Sequence, residues 1–246
     1  MQTLIRASKI LNCFSLKENK LSLVELTRKT NLPKPTVYRI CETLVKLGFL
    51  RKNSDKTYTL GFRLLELGSI VLSSLEIRKV AMEEMERLQN ITGESVHLGI
   101  LDGTEVVSIE ALESPLPLRT RVFIGKRASL YSSAIGKALL AFLPEDQKKE
   151  IVEKLDLKPH TKNTITDKEE LMKELERIKR RGYSVDDMED SEGVRCVGAP
   201  ILNSEGIAIA SISISGPATR ITKDKIRKYS KLVIEASRRI SKKLGY

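Results

Sequence analysis

The stretch from Ile207 to Ser215 reads Ile-Ala-Ile-Ala-Ser-Ile-Ser-Ile-Ser, an alternation with the period of a β-strand. One face would carry Ala208, Ala210, Ile212 and Ile214, and the other Ile207, Ile209, Ser211, Ser213 and Ser215. A row of hydroxyls beside isoleucines suits a pocket for a small oxygenated molecule, because a buried hydroxyl needs a partner and a ligand can supply it. Neighbouring polar side chains or water satisfy such a row equally well. Asp186 to Gly193 is an acidic run in a basic protein; runs of this kind close over a ligand, hold a cation or are simply solvated. The only histidines are His97 and His160, and His97 falls on the strand face opposite Val96 and Leu98. His97, Cys196 and the acidic loop are zinc-compatible ligand types without close ligand spacing, so a metal there is an open alternative and no cofactor is required.

Catalytic signatures are missing from the sequence. There is no G-x-S-x-G elbow, phosphate-cradling loop or dinucleotide fingerprint, and the Gly125-Lys126 and Gly136-Lys137 pairs lack the preceding glycine of a phosphate loop. Two histidines and no base–nucleophile pair argue against an enzyme. Chemistry suited to nucleic acid gathers instead near the N-terminus, in Lys34, Thr36, Tyr38 and Arg39, with Arg51, Lys52 and Lys56 following.

Those residues need a rigid frame, and residues 21–50 read as two helices joined by a tight turn. Ser22 and Glu25 make a capping box, with Leu21 and Leu26 placed as a hydrophobic staple. Asn31 tolerates the left-handed conformation that ends a helix, and Pro33 and Pro35 confine the restart to a first turn. The second helix carries Val37, Ile40, Cys41, Leu44 and Leu47 on one stripe, leaving Lys34, Thr36, Tyr38, Arg39 and Lys46 outward. Leu4, Ala7, Leu11 and Phe14 predict a supporting helix over 3–15. After Gly48, residues 49–52 and 57–60 flank the turn-forming Asn53 to Lys56 and predict a β-hairpin wing, setting Arg51, Lys52 and Lys56 where they can hold phosphates.

Residues 61–75 form a short helical linker, apolar on more than one side, which calls for a covering surface and favours a dimer. Beyond it, helices and strands alternate. Expected are a helix over 78–89, a strand over 96–100, a turn at Asp102-Gly103 leading to 106–109, and a strand over 121–124. A buried helix at 134–142, a helix at 167–181 opened by a Thr166–Glu169 capping box, strands at 196–202 and 207–215, and a helix over 223–244 complete the set. Locally paired strands with outer helices predict an α+β fold with an antiparallel sheet.

Charge supports the division. The 246 residues carry a net charge of +11, yet residues 1–75 hold 13 basic against 5 acidic side chains, +8 in all, and the remaining residues only +3. A basic module joined to a nearly balanced one points to an anionic partner at one end. Three separated cysteines (Cys13, Cys41, Cys196) fit a reducing cytoplasm, no apolar run reaches membrane-spanning length, and abundant Lys and Glu with three Gln hint at a thermophilic source.

With both halves read, the sequence resembles the IclR family of bacterial transcriptional regulators over nearly its whole length. The motifs stand in the family's order: Arg6 to Leu11, Leu21 to Leu50, Tyr58 to Gly61, Glu94 to Leu98, Ala134 to Ala141, Gly182 to Asp187, Ala199 to Ile201 and Ser211 to Pro217. The resemblance implies a winged helix-turn-helix over 1–60, a linker helix over 61–75, and a GAF-like effector-binding and oligomerisation domain over 76–246. It also implies a homodimer or homotetramer that binds double-stranded operator DNA, represses or activates a carbon-catabolism operon, and answers to a small metabolite. By the same resemblance the effector lies against Ala134, Ile135, Asp186, Cys196, Ser213 and Ser215, the last two also singled out by strand alternation. Pro35 replaces the serine usual in the family, and Ile135 is larger than is common there. Two competing readings are an effector-independent DNA-binding protein and an enzyme with a DNA-binding appendage, its active site at Cys196 and Asp186.

Overall fold

The computed structural model describes residues 2–121 and 123–246 and resolves into two compact units that meet in sequence at Leu75 and Glu76. The N-terminal unit runs α1 (Gln2–Leu11), β1 (Leu21–Ser22), α2 (Leu23–Thr30), α3 (Lys34–Lys46), β2 (Leu50–Lys52), β3 (Thr57–Leu60) and α4 (Phe62–Ser73). The capping box is present in full: the Ser22 hydroxyl accepts from the Glu25 amide at 3.3 Å, and the Glu25 carboxylate accepts from the Ser22 amide at 2.7 Å. Asn31 leaves α2 in the left-handed region at φ 53°. Ser22 is itself extended, so Leu21 and Ser22 continue outward as a short strand paired with Tyr58 and Thr57. The three strands lie in the order β1-β3-β2 over a core of Ile10, Leu21, Leu26, Val37, Ile40, Cys41, Leu44, Leu50 and Tyr58.

Two expectations in this unit need correction. Helix α1 stops at Leu11 in a tighter last turn, the Cys13 amide bonding to the Ile10 carbonyl, and Ile10 is its core anchor while Leu4 stands in solvent. Leu47 is exposed as well, because it lies past the last turn of α3, where Gly48 turns the chain at φ 77°. Helix α4 buries none of its side chains within its own unit; Phe62, Leu65, Ile70 and Val71 are exposed.

The C-terminal unit runs α5 (Glu76–Thr92), β4 (Ser95–Asp102), β5 (Glu105–Leu112), β6 (Arg127–Ser129), α6 (Ala134–Ala141), α7 (Glu145–Lys154), α8 (Lys168–Arg181), β7 (Ser184–Asp187), β8 (Val194–Leu202), β9 (Ala208–Pro217) and α9 (Lys223–Lys243). Its six strands form one antiparallel sheet in the order β6-β5-β4-β9-β8-β7. One face is apolar and sealed (Val96, Leu98, Val197, Ala199, Ile212 and Ile214), with α5 and α9 packed on the sheet and on each other. Over the other face lies α6, every side chain of which is buried, backed by α7 and α8.

Local signals slipped by a residue or two in several places. Asp102 pairs with Glu105, so the hairpin loop is Gly103-Thr104 with Gly103 at φ 64°, and Asp102 closes the ladder. Asp167, not Thr166, caps α8, accepting from the Glu170 amide at 2.8 Å. The strand expected over 121–124 includes Val122, which lies outside the described residues; Arg121 and Phe123 have no regular structure, and the strand forms after a turn at Gly125. Helix α7 and strand β7 had no counterpart in the sequence reading. The expected acidic loop begins inside β7, with Asp186 buried.

Candidate functional site

Strand register decides which candidate residues meet. Cys196 lies opposite Asp186 on β7 and Ser215 on β9, and Ser215 lies opposite Ser95 on β4. One step along, Gly198, Ser213 and His97 form the next row. Opposed residues share a face, so Asp186, Cys196, Ser213, Ser215 and His97 gather on the side of the sheet that α6 covers. Gly198 permits that cover, since a Cβ there would stand 3.0 Å from the Ala134 carbonyl oxygen, and the Ile135 side chain reaches over Gly99.

Between the sheet and the start of α6 is a cavity of about 530 Å³, whose wall includes Ala134, Ile135, Asp186, Cys196, Ser213 and Ser215. All six effector candidates thus line one space. Ser211 does not join them; its hydroxyl donates to the Ala199 carbonyl at 3.0 Å. The structure adds His97, Thr120 and a basic rim of Arg119, Arg121 and Lys126. The rim escaped sequence reasoning because its segment, between β5 and β6, has no periodicity that would aim its side chains.

The cavity has two electrostatic halves. On one side stand the rim and the N-terminus of α6, where Ser133 caps the helix by accepting from the Gly136 amide at 3.1 Å; helix N-termini and cations favour an anion. On the other stand Asp186, Asp190 and Glu192. Burial pushes the Asp186 carboxyl up to about 7, although the Glu189 amide donates to its Oδ1 at 2.7 Å and opposes the rise; the charge of Glu189 adds to it. Beneath the cavity the buried Lys137 ammonium pairs with Glu189, whose own carboxyl is raised by burial. Asp190 accepts from the Ser132 hydroxyl at 2.7 Å. The acidic run is therefore largely built into the wall of the unit.

Cys196 donates from Sγ to the Ser215 hydroxyl at 3.1 Å, and burial with the nearby Asp186 charge pushes its thiol well above the ordinary value. A nucleophilic cysteine is favoured by the opposite shift. Burial, and then the Lys126 charge, pushes the His97 imidazole down to about 3, so the ring is neutral. Among the described residues no three His, Cys, Asp or Glu side chains are grouped to hold a metal ion.

In the N-terminal unit, Lys34, Tyr38 and Arg39 are exposed on α3 and Thr36 is half-buried. Among the described residues no carboxylate pairs with Lys34 or Arg39; the unit's acids are engaged elsewhere, Glu18 with Lys29, Asp55 with Lys20, Glu66 with Arg63 and Glu25 in its cap. Lys52, expected among the phosphate-holding residues, is ion-paired in the free protein. Its ammonium bonds to Glu42 on α3 at 2.8 Å and lies over the Tyr38 and Tyr58 rings, tying the wing to the helix. Arg51 stacks on Phe62 at 4.7 Å, while Lys56 is exposed in the wing turn with φ 63°.

Comparison with known proteins agrees with this two-part architecture. Residues 3–54 match the IclR helix-turn-helix domain, and residues 69–242 match the bacterial transcriptional regulator IclR C-terminal domain. The chain belongs to the IclR family of bacterial transcriptional regulators. It is 36% identical over 231 residues to the HTH-type transcriptional regulator KdgR of Escherichia coli K12, covering 94% of this chain and 88% of the relative. The solved structure of the Thermotoga maritima IclR is similar over the full length of both chains, with 39% identity and a TM-score of 0.81. An IclR homologue of Microbacterium hydrocarbonoxydans, solved in complex with 4-hydroxybenzoate, aligns over 99% of each chain with 27% identity and a TM-score of 0.85. An IclR-family regulator with a mixed α+β C-terminal unit is thus what the sequence motifs implied.

Proposed function

We propose that this IclR-family chain is a ligand-responsive DNA-binding regulator of a carbon-catabolism operon, acting in the cytoplasm as a homodimer or homotetramer. Helix α3 enters the major groove of operator DNA with Lys34, Thr36, Tyr38 and Arg39. Arg51 and Lys56 hold phosphates from the wing, and Lys52 braces the wing against α3. A small metabolite occupies the C-terminal cavity against Ala134, Ile135, Asp186, Cys196, Ser213 and Ser215, and its binding changes operator affinity by favouring one of two conformations. The observation that carries the reading is the convergence of those six residues, from four separate elements, on one cavity with unlike electrostatic halves.

Assembly is supported by apolar surface that the N-terminal unit leaves in water. Leu4 and Ile5 on α1, and Phe62, Leu65, Ile70 and Val71 on α4, are exposed. Apolar surface of that extent marks an interface, and a two-fold copy also doubles the DNA half-sites. The test is a gel shift on DNA from the gene's own upstream region across a salt series. Replacing Lys34 and Arg39 with Ala should weaken binding and flatten its salt dependence; unchanged binding refutes the DNA face. For the cavity, Ser213→Ala with Ser215→Ala should abolish ligand-induced thermal stabilisation, and its full retention refutes the site.

A further inference from the structure

Helix α9 carries nine basic side chains, all exposed, against two acidic ones, whereas the rest of residues 76–246 sum to a charge of −4. Its apolar side, with Tyr229, Val233, Ala236 and Ile240, is buried in the unit. Arg239 pairs with Glu235 and Glu84, and Lys243 with Glu83. Among the described residues no carboxylate pairs with the other seven cations of the helix. Four of them, Arg227, Lys231, Arg238 and Lys242, follow one another at four, seven and four residues and so fall in one stripe, about 22 Å long, on the solvent side. Beside the stripe, Arg238 shares a groove of about 490 Å³ with Lys179, Arg180 and Arg181 from the end of α8, and no acid lines it. Lys179 and Arg181 are held by Glu145 and Glu174, while among the described residues Arg180 has no carboxylate partner.

This arrangement costs the free protein stability. Lys223 and Lys225 stand in the first turn of α9, where a helix dipole favours acids. The pairs Lys223–Arg227, Arg227–Lys231 and Arg238–Lys242 set like charges four residues apart, where they repel across one turn. The dipole accounts for Lys242 and Lys243 in the last turn and for the basic end of α8, but not for Arg227 and Lys231. A row of exposed cations that repel one another and lack partners is relieved by a polyanion. We infer that the α9 stripe is a second DNA-contacting surface, which takes phosphates of duplex flanking the operator without reading its sequence. The inference rests on the reading of α3 as the operator-binding helix, because a chain tethered to operator DNA keeps the flanking duplex at high effective concentration. A duplex also matches the stripe in form. It carries about one charge per 1.7 Å of axis and so meets every cation of a row about 22 Å long, whereas an acidic protein must place each carboxylate to fit. Long, exposed side chains held by no network of hydrogen bonds suit phosphate contact, which positions a protein on DNA without carrying sequence information.

The test uses the full-length protein and DNA from the gene's own upstream region, followed by fluorescence anisotropy across a salt series. One duplex is the operator trimmed to the shortest length that keeps sequence-specific binding; the other is extended by about 20 base pairs, two helical turns, on each side. The extended duplex should bind roughly tenfold more tightly in low salt, and its slope of log affinity against log salt should be steeper by about 2–4. Exchanging Arg227, Lys231, Arg238 and Lys242 together for Gln should erase both differences and leave affinity for the short duplex unchanged. That variant loses the like-charge pairs, so its melting temperature should equal or exceed that of the unsubstituted protein. Should it fail to fold, Arg227→Gln with Lys231→Gln takes its place and should lose about half of the added slope. Equal affinity and slope on the two duplexes, or a gain from the flanks that the variant keeps, overturns the α9 contact and leaves the α3 reading standing. Absence of sequence-specific binding to any duplex overturns both. Should the α9 cations govern binding of poly-L-glutamate but not of the flanks, the face serves an acidic protein and the inference falls.

Discussion

Replacing Asp186 with Asn should make the protein more stable than the unsubstituted chain at and above neutral pH, with the advantage shrinking toward zero as the pH falls to about 4. Asp186 is 1% exposed, and burial raises its carboxyl from an ordinary 3.8 to about 7. A carboxyl that holds its proton longer folded than unfolded makes the folded state bind more protons between those values. Stability therefore falls as pH rises from about 4 to about 7. Between pH 5 and pH 8 the loss attached to this one group is about 2–3 kcal/mol. The amide keeps the oxygen that accepts from the Glu189 and Asp190 amides at 2.7 and 3.3 Å and cannot ionise, so it escapes the loss. His97 works in the opposite direction, the unfolded chain binding the extra proton between about 3 and 6.5, but it is common to both proteins and cancels in the difference. Calorimetry of the full chain at pH 5 and pH 8 should show the variant's advantage in melting temperature growing by roughly 4–12 °C for the transition of the C-terminal unit. An advantage that stays constant with pH refutes the raised carboxyl, and a variant less stable at pH 8 refutes the sign.

Lys137→Met leaves Glu189 buried without its cation and should cost about 3–5 kcal/mol at neutral pH, shrinking on acidification as the carboxyl takes a proton; urea titrations at pH 5 and pH 8 measure both. Ser22→Ala removes the α2 cap and should lower the melting temperature of the N-terminal unit by roughly 4–8 °C without touching the cavity, which circular dichroism melts will show. Neutralising Lys34 and Arg39 together should reduce the slope of log affinity against log salt by about 2 in gel shifts, and an unchanged slope refutes their phosphate or base contacts. Gly216→Ala would press a methyl into the Glu94 carboxylate, which Arg220 holds with two bonds of 2.7 Å; a clear drop in melting temperature is expected, and a neutral result would show that the pair can shift aside.

Features governed by neighbours in sequence were readable without a structure. The Ser22–Glu25 cap, the left-handed Asn31, the glycine stops at Gly48 and Gly182, and the alternation in β9 all depend on residues within a few positions of one another. What failed was choice among near-equivalent local options. Thr166 and Asp167 are both good caps, and the backbone's extended turn at Asp167 selected the second. Asp102-Gly103 and Gly103-Thr104 both make a two-residue hairpin; the β4–β5 register chose the one that puts Gly103 first in the loop. Leu4 and Leu47 matched the apolar period of their helices but lie where those helices pass beyond the core, and a surface awaiting a partner looks the same in sequence as a buried stripe.

The cavity was legible only in part, because it is a product of register across four strands. Alternation put Ser211, Ser213 and Ser215 on one face, but only the pairing of β9 with β8 and β4 separates Ser211, satisfied by Ala199, from the two that reach open space. The same pairing brings His97 and Cys196 into the rows, although they are 99 residues apart in the chain. Small side chains explain why space exists there at all. Serine, cysteine and glycine occupy the rows under the start of α6, while isoleucine and valine fill the reverse face of the same strands, so the sheet is packed solid on one side and hollow on the other. A hollow lined by hydroxyls, a neutral imidazole and a carboxyl poised near neutrality costs stability in the empty protein, and such a cost is recovered when a matching polar molecule fills it.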